Sequence, residues 1–100
     1  MASSKEYLDY VMEQLLAAGF SDVRSRPMMG EYLLYVDDVL VGGIYDDRLL
    51  VKCVEGNEGF GMEEAIPYPG AKKMWLVGEV DDTKALVKIV RATVEGLKGK

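Results

Sequence analysis

With 100 residues, 12 basic and 17 acidic side chains and a net charge of -5, the chain is expected to form a single domain over residues 1–100, large enough to fold on its own hydrophobic core without disulfide staples. It has no histidine and one cysteine, which excludes Ser-His and Cys-His nucleophiles and the usual zinc ligand sets. Residues 1–71 carry five basic and thirteen acidic side chains (-8) and residues 72–100 carry seven and four (+3), so direct DNA binding, which draws on clustered Lys and Arg, is not expected.

Met1-Ala2-Ser3-Ser4-Lys5 leads into an amphipathic helix rather than a signal sequence, and no apolar run approaches a membrane span. A cytoplasmic protein without membrane contact is expected. Ser3 and Glu6 have capping-box spacing and Gly19-Phe20 reads as a helix stop, which predicts a helix from about Ser4 to Ala18 with Leu8, Val11, Met12, Leu15 and Leu16 as its core stripe. Asp22 to Pro27 alternates as a short strand, with Pro27 confining it to an edge or a bulge and Gly30 restarting the sheet. Arg24 and Arg26 on one side of that strand are read as partners for nearby carboxylates rather than as an anion site.

Between Arg26 and Val54, three runs rich in Val, Ile, Leu and Tyr are separated by Asp37-Asp38 and Asp46-Asp47, the spacing of two tight hairpins in an antiparallel meander. Two-residue loops would set Val36 opposite Val39, Leu34 opposite Val41, Tyr45 opposite Arg48 and Ile44 opposite Leu49. One face then collects Leu33, Tyr35, Leu40, Gly42, Ile44, Leu49, Val51 and Cys53 and is assigned to the core. The other includes Tyr32, Leu34, Val41, Tyr45, Arg48, Leu50 and Lys52. Its aromatics and Arg give it the composition of an interface, and those seven residues are the candidate partner-binding set, with homodimerisation through this face as the expected use. The alternative is an ordinary outer sheet face over which Tyr, Arg and Lys drape.

Glu55 to Gly61 reads as a flexible glycine-rich connection lacking any phosphate-loop spacing, and Met62 to Ala65 as the end of a short helix capped at Asn57. Tyr68-Pro69-Gly70-Ala71 is a type II turn that introduces a strand over Lys73 to Val80. Asp81-Asp82 caps a last helix, Thr83 to Leu97, with Leu86, Ile89, Val90, Thr93, Val94 and Leu97 buried. Cys53 is read as a small core residue. The three Asp-Asp pairs occupy turns and caps where Asp serves the backbone, so no catalytic, metal or cofactor-binding residue is assigned and no cofactor is expected. A small carboxylate-dependent enzyme or a small-molecule-binding domain is the alternative class, marked by a deep pocket of converging acids.

Met28-Met29-Gly30-Glu31-Tyr32, Leu34-Tyr35, Gly42 to Lys52, Ser3 to Leu8 and Tyr68 to Met74 together resemble the TfoX (Sxy) N-terminal domain family, associated with regulation of natural competence. The resemblance spans nearly the whole chain, with Met29 where many members have Phe. The longer competence regulators continue into a second, C-terminal domain, and this chain is expected to be a stand-alone N-terminal domain. The resemblance implies an α+β fold, an antiparallel sheet with helices packed on one face in a secretion-chaperone-like two-layer architecture. It also implies a non-enzymatic regulatory or adaptor role through a protein partner such as a transcription factor.

Overall fold

The computed structural model describes residues 3–99. Helix α1 (Lys5–Ala17) is capped by Ser4, whose Oγ accepts from the Tyr7 amide at 3.1 Å. The cap is therefore one residue later than the Ser3–Glu6 spacing suggests. Ser3 is used elsewhere: its hydroxyl donates to Glu31 Oε1 at 2.6 Å and accepts from the Asp47 amide at 3.0 Å. The helix stops at Gly19, whose φ of +101° is open only to residues that tolerate left-handed backbone. The Gly19 and Phe20 amides fold back onto the Leu16 and Leu15 carbonyls at 3.0 and 3.2 Å, which swings Phe20 onto the core. Leu8, Val11 and Leu15 are buried, but Leu16 is 56% exposed and does not belong to the stripe.

Among the described residues, strands β1 (Val23–Met28), β2 (Glu31–Val36), β3 (Val39–Ile44), β4 (Leu49–Val51), β5 (Glu63–Ala65) and β6 (Met74–Val77) form one antiparallel sheet in the order β1-β2-β3-β4-β6-β5. β1 lies on an edge, where the missing amide hydrogen of Pro27 leaves no gap in a ladder. Both acidic pairs are the expected two-residue hairpin turns. Asp37, Asp38, Asp46 and Asp47 all have φ between 54° and 64°, the doubly left-handed geometry of a type I′ turn. Met29-Gly30 makes a third such turn, with φ of 52° and 86°.

The register departs from expectation at one point. Val36 faces Val39 and Tyr35 faces Leu40, but Leu34 faces Gly42, so Val41 is an extra residue bulged out of the ladder. The helix-facing residues of β3 accordingly run Val39, Val41, Ile44, a step of three where a regular strand steps by two. Gly42 makes this possible: a Cβ there would lie 2.0 Å from the Leu50 carbonyl oxygen. The glycine makes room for the neighbouring strand.

The bulge inverts part of the predicted facing. Leu34, Val36 and Val41 are buried in the core cluster with Ile44, Leu49 and Val51, while Leu33, Tyr35 and Leu40 lie on the opposite face and are only half-buried. The core assignment holds for Ile44, Leu49 and Val51 and is corrected for Leu33, Tyr35, Leu40 and Cys53, which is also half-buried.

Glu55–Phe60 is a 3₁₀ helix rather than a flexible connection. Asn57 explains why: it is fully buried and donates to the Lys52 carbonyl at 2.9 Å and Thr93 Oγ1 at 2.8 Å, while its Oδ1 accepts from the Val54 amide at 3.1 Å. Residues 63–65 are the edge strand β5, not a helix end. The Tyr68-Pro69-Gly70-Ala71 turn forms as expected, with the Ala71 amide 3.1 Å from the Tyr68 carbonyl and Gly70 at φ +88°. Helix α2 (Thr83–Lys98) is capped by Asp82 Oδ1, 3.2 Å from the Ala85 amide. Leu86, Ile89, Val90, Thr93 and Val94 are buried as predicted, and Leu97 is half-buried.

Both helices cover the same sheet face, where Leu8, Val11 and Leu15 join Leu86, Ile89 and Val90 over the core strands. This is a two-layer α+β fold with the other sheet face left to the chain's connections. Among the described residues no helix is long and apolar enough to cross a membrane.

Candidate functional site, a groove on the outer sheet face

The face away from the helices holds an open groove of about 900 Å³. Alternation along β2 and the bulge in β3 turn Leu33 and Leu40 outward to form its floor. The far wall is the connection from β5 to β6, which doubles over the sheet through the Tyr68-Pro69-Gly70 turn and contributes Pro67, Tyr68 and Ala71. Met28 and Met74 close the sides.

The groove has two unlike ends. At one, the Tyr45 and Tyr68 rings meet with centroids 6.3 Å apart at 51°. Tyr45 also lies across Gly43, where any Cβ would come within 2.8 Å of its ring, so the glycine makes room for the tyrosine. Tyr45 is only 5% exposed, and its burial, followed by the proximity of Tyr68 and Glu31, pushes its hydroxyl pKa up. At the other end, where β4 finishes and β6 begins, Lys52, Lys72 and Lys73 line the groove. Lys73 is engaged: its ammonium is 2.7 Å from Glu64 Oε2, which raises its pKa, and 5.3 Å from the Trp75 ring centre. Lys52 and Lys72 make no ion pair among the described residues. No carboxylate lines the groove, although the chain holds 17.

Cys53 lines the cationic end, its thiol 3.5 Å from the Lys73 carbonyl. Burial pushes this thiol up, and the opposing pull of Lys73 does not restore it. The Tyr45 hydroxyl, Cys53 thiol and Lys73 ammonium thus all hold their protons well above neutral pH, which suits binding better than proton transfer. Among the described residues no three acids or cysteines gather as a metal site.

The predicted partner-binding set is divided by the bulge. Leu34 and Val41 are 0% and 2% exposed and lie beneath the helices, so they present nothing outward. Tyr32 pairs with Ile44 and packs against the core on that same side. Leu50 sits between Gly43 and Leu76 on the outer side, yet is wholly covered by the chain itself. Arg48 is half-buried beyond the aromatic end, its Nε 3.2 Å from the Tyr45 carbonyl. Only Tyr45 and Lys52 of the seven line the groove. Leu33, Leu40, Met74 and Tyr68 escaped the sequence reading. For Leu33 and Leu40 the signal is the Gly42-Gly43 pair, since adjacent glycines inside a strand mark a bulge or a close backbone approach; Tyr68 and Met74 have no such local signal. Arg24 does answer carboxylates, pairing with Asp22 at 3.5 Å and with Asp38.

A two-layer α+β domain with an open, largely apolar groove on its outer sheet face is the class this geometry defines. The chain belongs to the TfoX N-terminal domain family, whose model matches residues 14–97, a family of competence-related regulatory domains rather than enzymes. The match begins within α1, so the Ser3 to Leu8 stretch lies outside it. The chain is also 35% identical over 100 residues to a Spirochaeta aurantia protein described as an uncharacterized 12.7 kDa protein in the trpE 5′ region, covering 97% of this chain and 85% of that one. No solved structure matches the chain.

Proposed function

We propose that this chain is a cytoplasmic regulatory or adaptor domain that acts through protein contacts, with a transcription factor as the type of partner and the outer groove as the docking surface. The observation that carries the reading is the groove itself: an apolar floor from Leu33 and Leu40, left uncovered on a sheet whose other face is packed by both helices. Its volume is within the range of pockets that hold drug-sized ligands. The acidic body, -8 over residues 1–71, argues against the sheet meeting DNA directly.

The homodimer contact expected from the sequence draws on Leu34, Val41 and Leu50, which the chain itself buries, so the groove is assigned to a different protein.

The test compares tagged wild-type chain with Leu33→Glu and Leu40→Glu as baits in cytoplasmic extract, followed by reconstitution of any captured protein from purified components. A partner that binds the wild-type chain and is lost from both variants, with circular dichroism unchanged, supports the reading. A partner retained by both variants places the contact elsewhere.

A further inference from the structure

We infer that the groove recognises a partner segment of two parts: an extended apolar stretch lying on Leu33 and Leu40, followed by a cluster of carboxylates seated at Lys52 and Lys72. The inference rests on reading the groove as a protein-docking surface and adds the chemistry of the occupant.

The argument is charge complementarity with a direction. Every ionised side chain lining the groove is a lysine, in a chain where acids outnumber bases 17 to 12. A random draw from this surface would place acids in the lining, and desolvating an unpaired ammonium under an apolar partner is unfavourable unless the partner brings the counter-charge. The lysines are gathered at one end. Lys52 is held opposite Val41 by its backbone amide, which donates to the Val41 carbonyl at 2.8 Å, and Lys72 and Lys73 immediately precede β6. Since Lys73 already holds Glu64, Lys52 and Lys72 carry the uncompensated charge.

The opposite end is aromatic, closed by Tyr45 and Tyr68. From Leu40 to Tyr45 is five residues, one of them bulged out of the ladder, so the floor spans four strand steps, roughly 13 Å at about 3.3 Å per residue. An occupant in extended conformation therefore fits about four apolar residues between the tyrosines and the lysines, with its acids beyond them.

Fluorescence polarisation with the full chain tests this, using three labelled peptides that share four alternating leucines and phenylalanines and end in three glutamates, three serines or three lysines. The glutamate peptide is expected to bind about tenfold tighter than the serine peptide at low salt, to lose that advantage at high salt, and the lysine peptide to bind weakest. In Lys52→Glu/Lys72→Glu the order should invert, the lysine peptide now binding tightest, which a merely misfolded variant would not show. Equal binding of the glutamate and serine peptides, or an order unchanged by the charge reversal, overturns the inference while leaving the apolar groove as a docking surface. If none of the peptides binds but free decanoate displaces a hydrophobic dye from the groove, the protein-docking reading falls with it.

Discussion

The indole nitrogen of Trp75 donates to Asn57 Oδ1 across 3.0 Å, joining β6 to the 3₁₀ helix. That oxygen also accepts from the Val54 amide, and the Asn57 amide nitrogen reaches Lys52 and Thr93, so one fully buried side chain ties four segments together. Removing it strands the Val54 amide, the Trp75 indole N–H and the Lys52 carbonyl at once, and leaves Thr93 only its bond to the Ile89 carbonyl. Asn57→Leu is expected to cost about 3 kcal/mol or more, because each unsatisfied buried polar group costs about 1–3 kcal/mol. Trp75→Phe leaves the Val54 bond intact and should cost about 1–2 kcal/mol. Urea denaturation of both variants checks the ranking, and an Asn57→Leu variant as stable as wild type would show that the network is not a stabilising tie.

The β3 bulge predicts opposite fates for adjacent leucines. Leu34 is fully buried under the helices, and Leu34→Ala should cost about 2–5 kcal/mol, as large-to-small core changes do. Leu33→Ala, on the half-buried outer face, should cost no more than about 1 kcal/mol. Gly42→Ala should be strongly destabilising although it adds a single methyl, since that carbon would sit 2.0 Å from the Leu50 carbonyl oxygen. Thermal melts monitored by circular dichroism distinguish these cases. A larger loss for Leu33→Ala than for Leu34→Ala would restore the regular register.

These residues also show what could be read in the chain before its fold was known. The helices, the acidic hairpin turns and the Tyr68-Pro69-Gly70 turn were legible because each rests on local signals: caps, periodicity and turn residues. Facing on β2 was not, because a period of two makes every assignment hang on one register, and one extra residue at Val41 reverses it. Asn57 was hidden for a different reason: its partners at Trp75 and Thr93 are distant in sequence, so the glycines around it read as flexibility. The groove was hidden for two reasons. Its floor follows the bulge, and its wall is a connection whose path over the sheet no local pattern specifies.

Turn chemistry offers a stabilising change. Asp38 sits at φ 64°, where glycine is at ease and an L side chain is strained, so Asp38→Gly should raise stability by about 0.5–1 kcal/mol. Its lost pairing with Arg24 involves two well-exposed side chains and contributes little. Asp47→Gly relieves the same strain but removes the carboxylate that accepts from the Ser4 amide at 2.7 Å and the Ser4 hydroxyl at 3.2 Å. It should therefore give a melting temperature no higher than wild type. A gain from Asp47→Gly as large as that from Asp38→Gly would mean the tie to Ser4 adds nothing.

Alkaline pH should loosen the fold. Tyr7 and Tyr45 are raised above their ordinary 10.0 and Cys53 above 9.0, in each case chiefly by burial. A group whose folded pKa is raised lends its full stability below the unfolded pKa and loses it as pH climbs through the folded one. These groups therefore leave stability flat from neutrality to about pH 9 and lower it above that. Tyr45→Phe should shallow the alkaline decline in urea midpoint, and an unchanged slope would remove Tyr45 as a contributor.

The claim on which the functional account depends is that the outer groove, and not the helical face, receives the partner. Methyl-labelled NMR spectra recorded while adding the apolar–glutamate peptide test it most directly. The account predicts that Leu33, Leu40, Met28 and Met74 methyls shift together with increasing peptide while Leu34, Val36 and Leu86 stay in place. Shifts confined to α1 and α2, with the groove methyls unmoved, would contradict it.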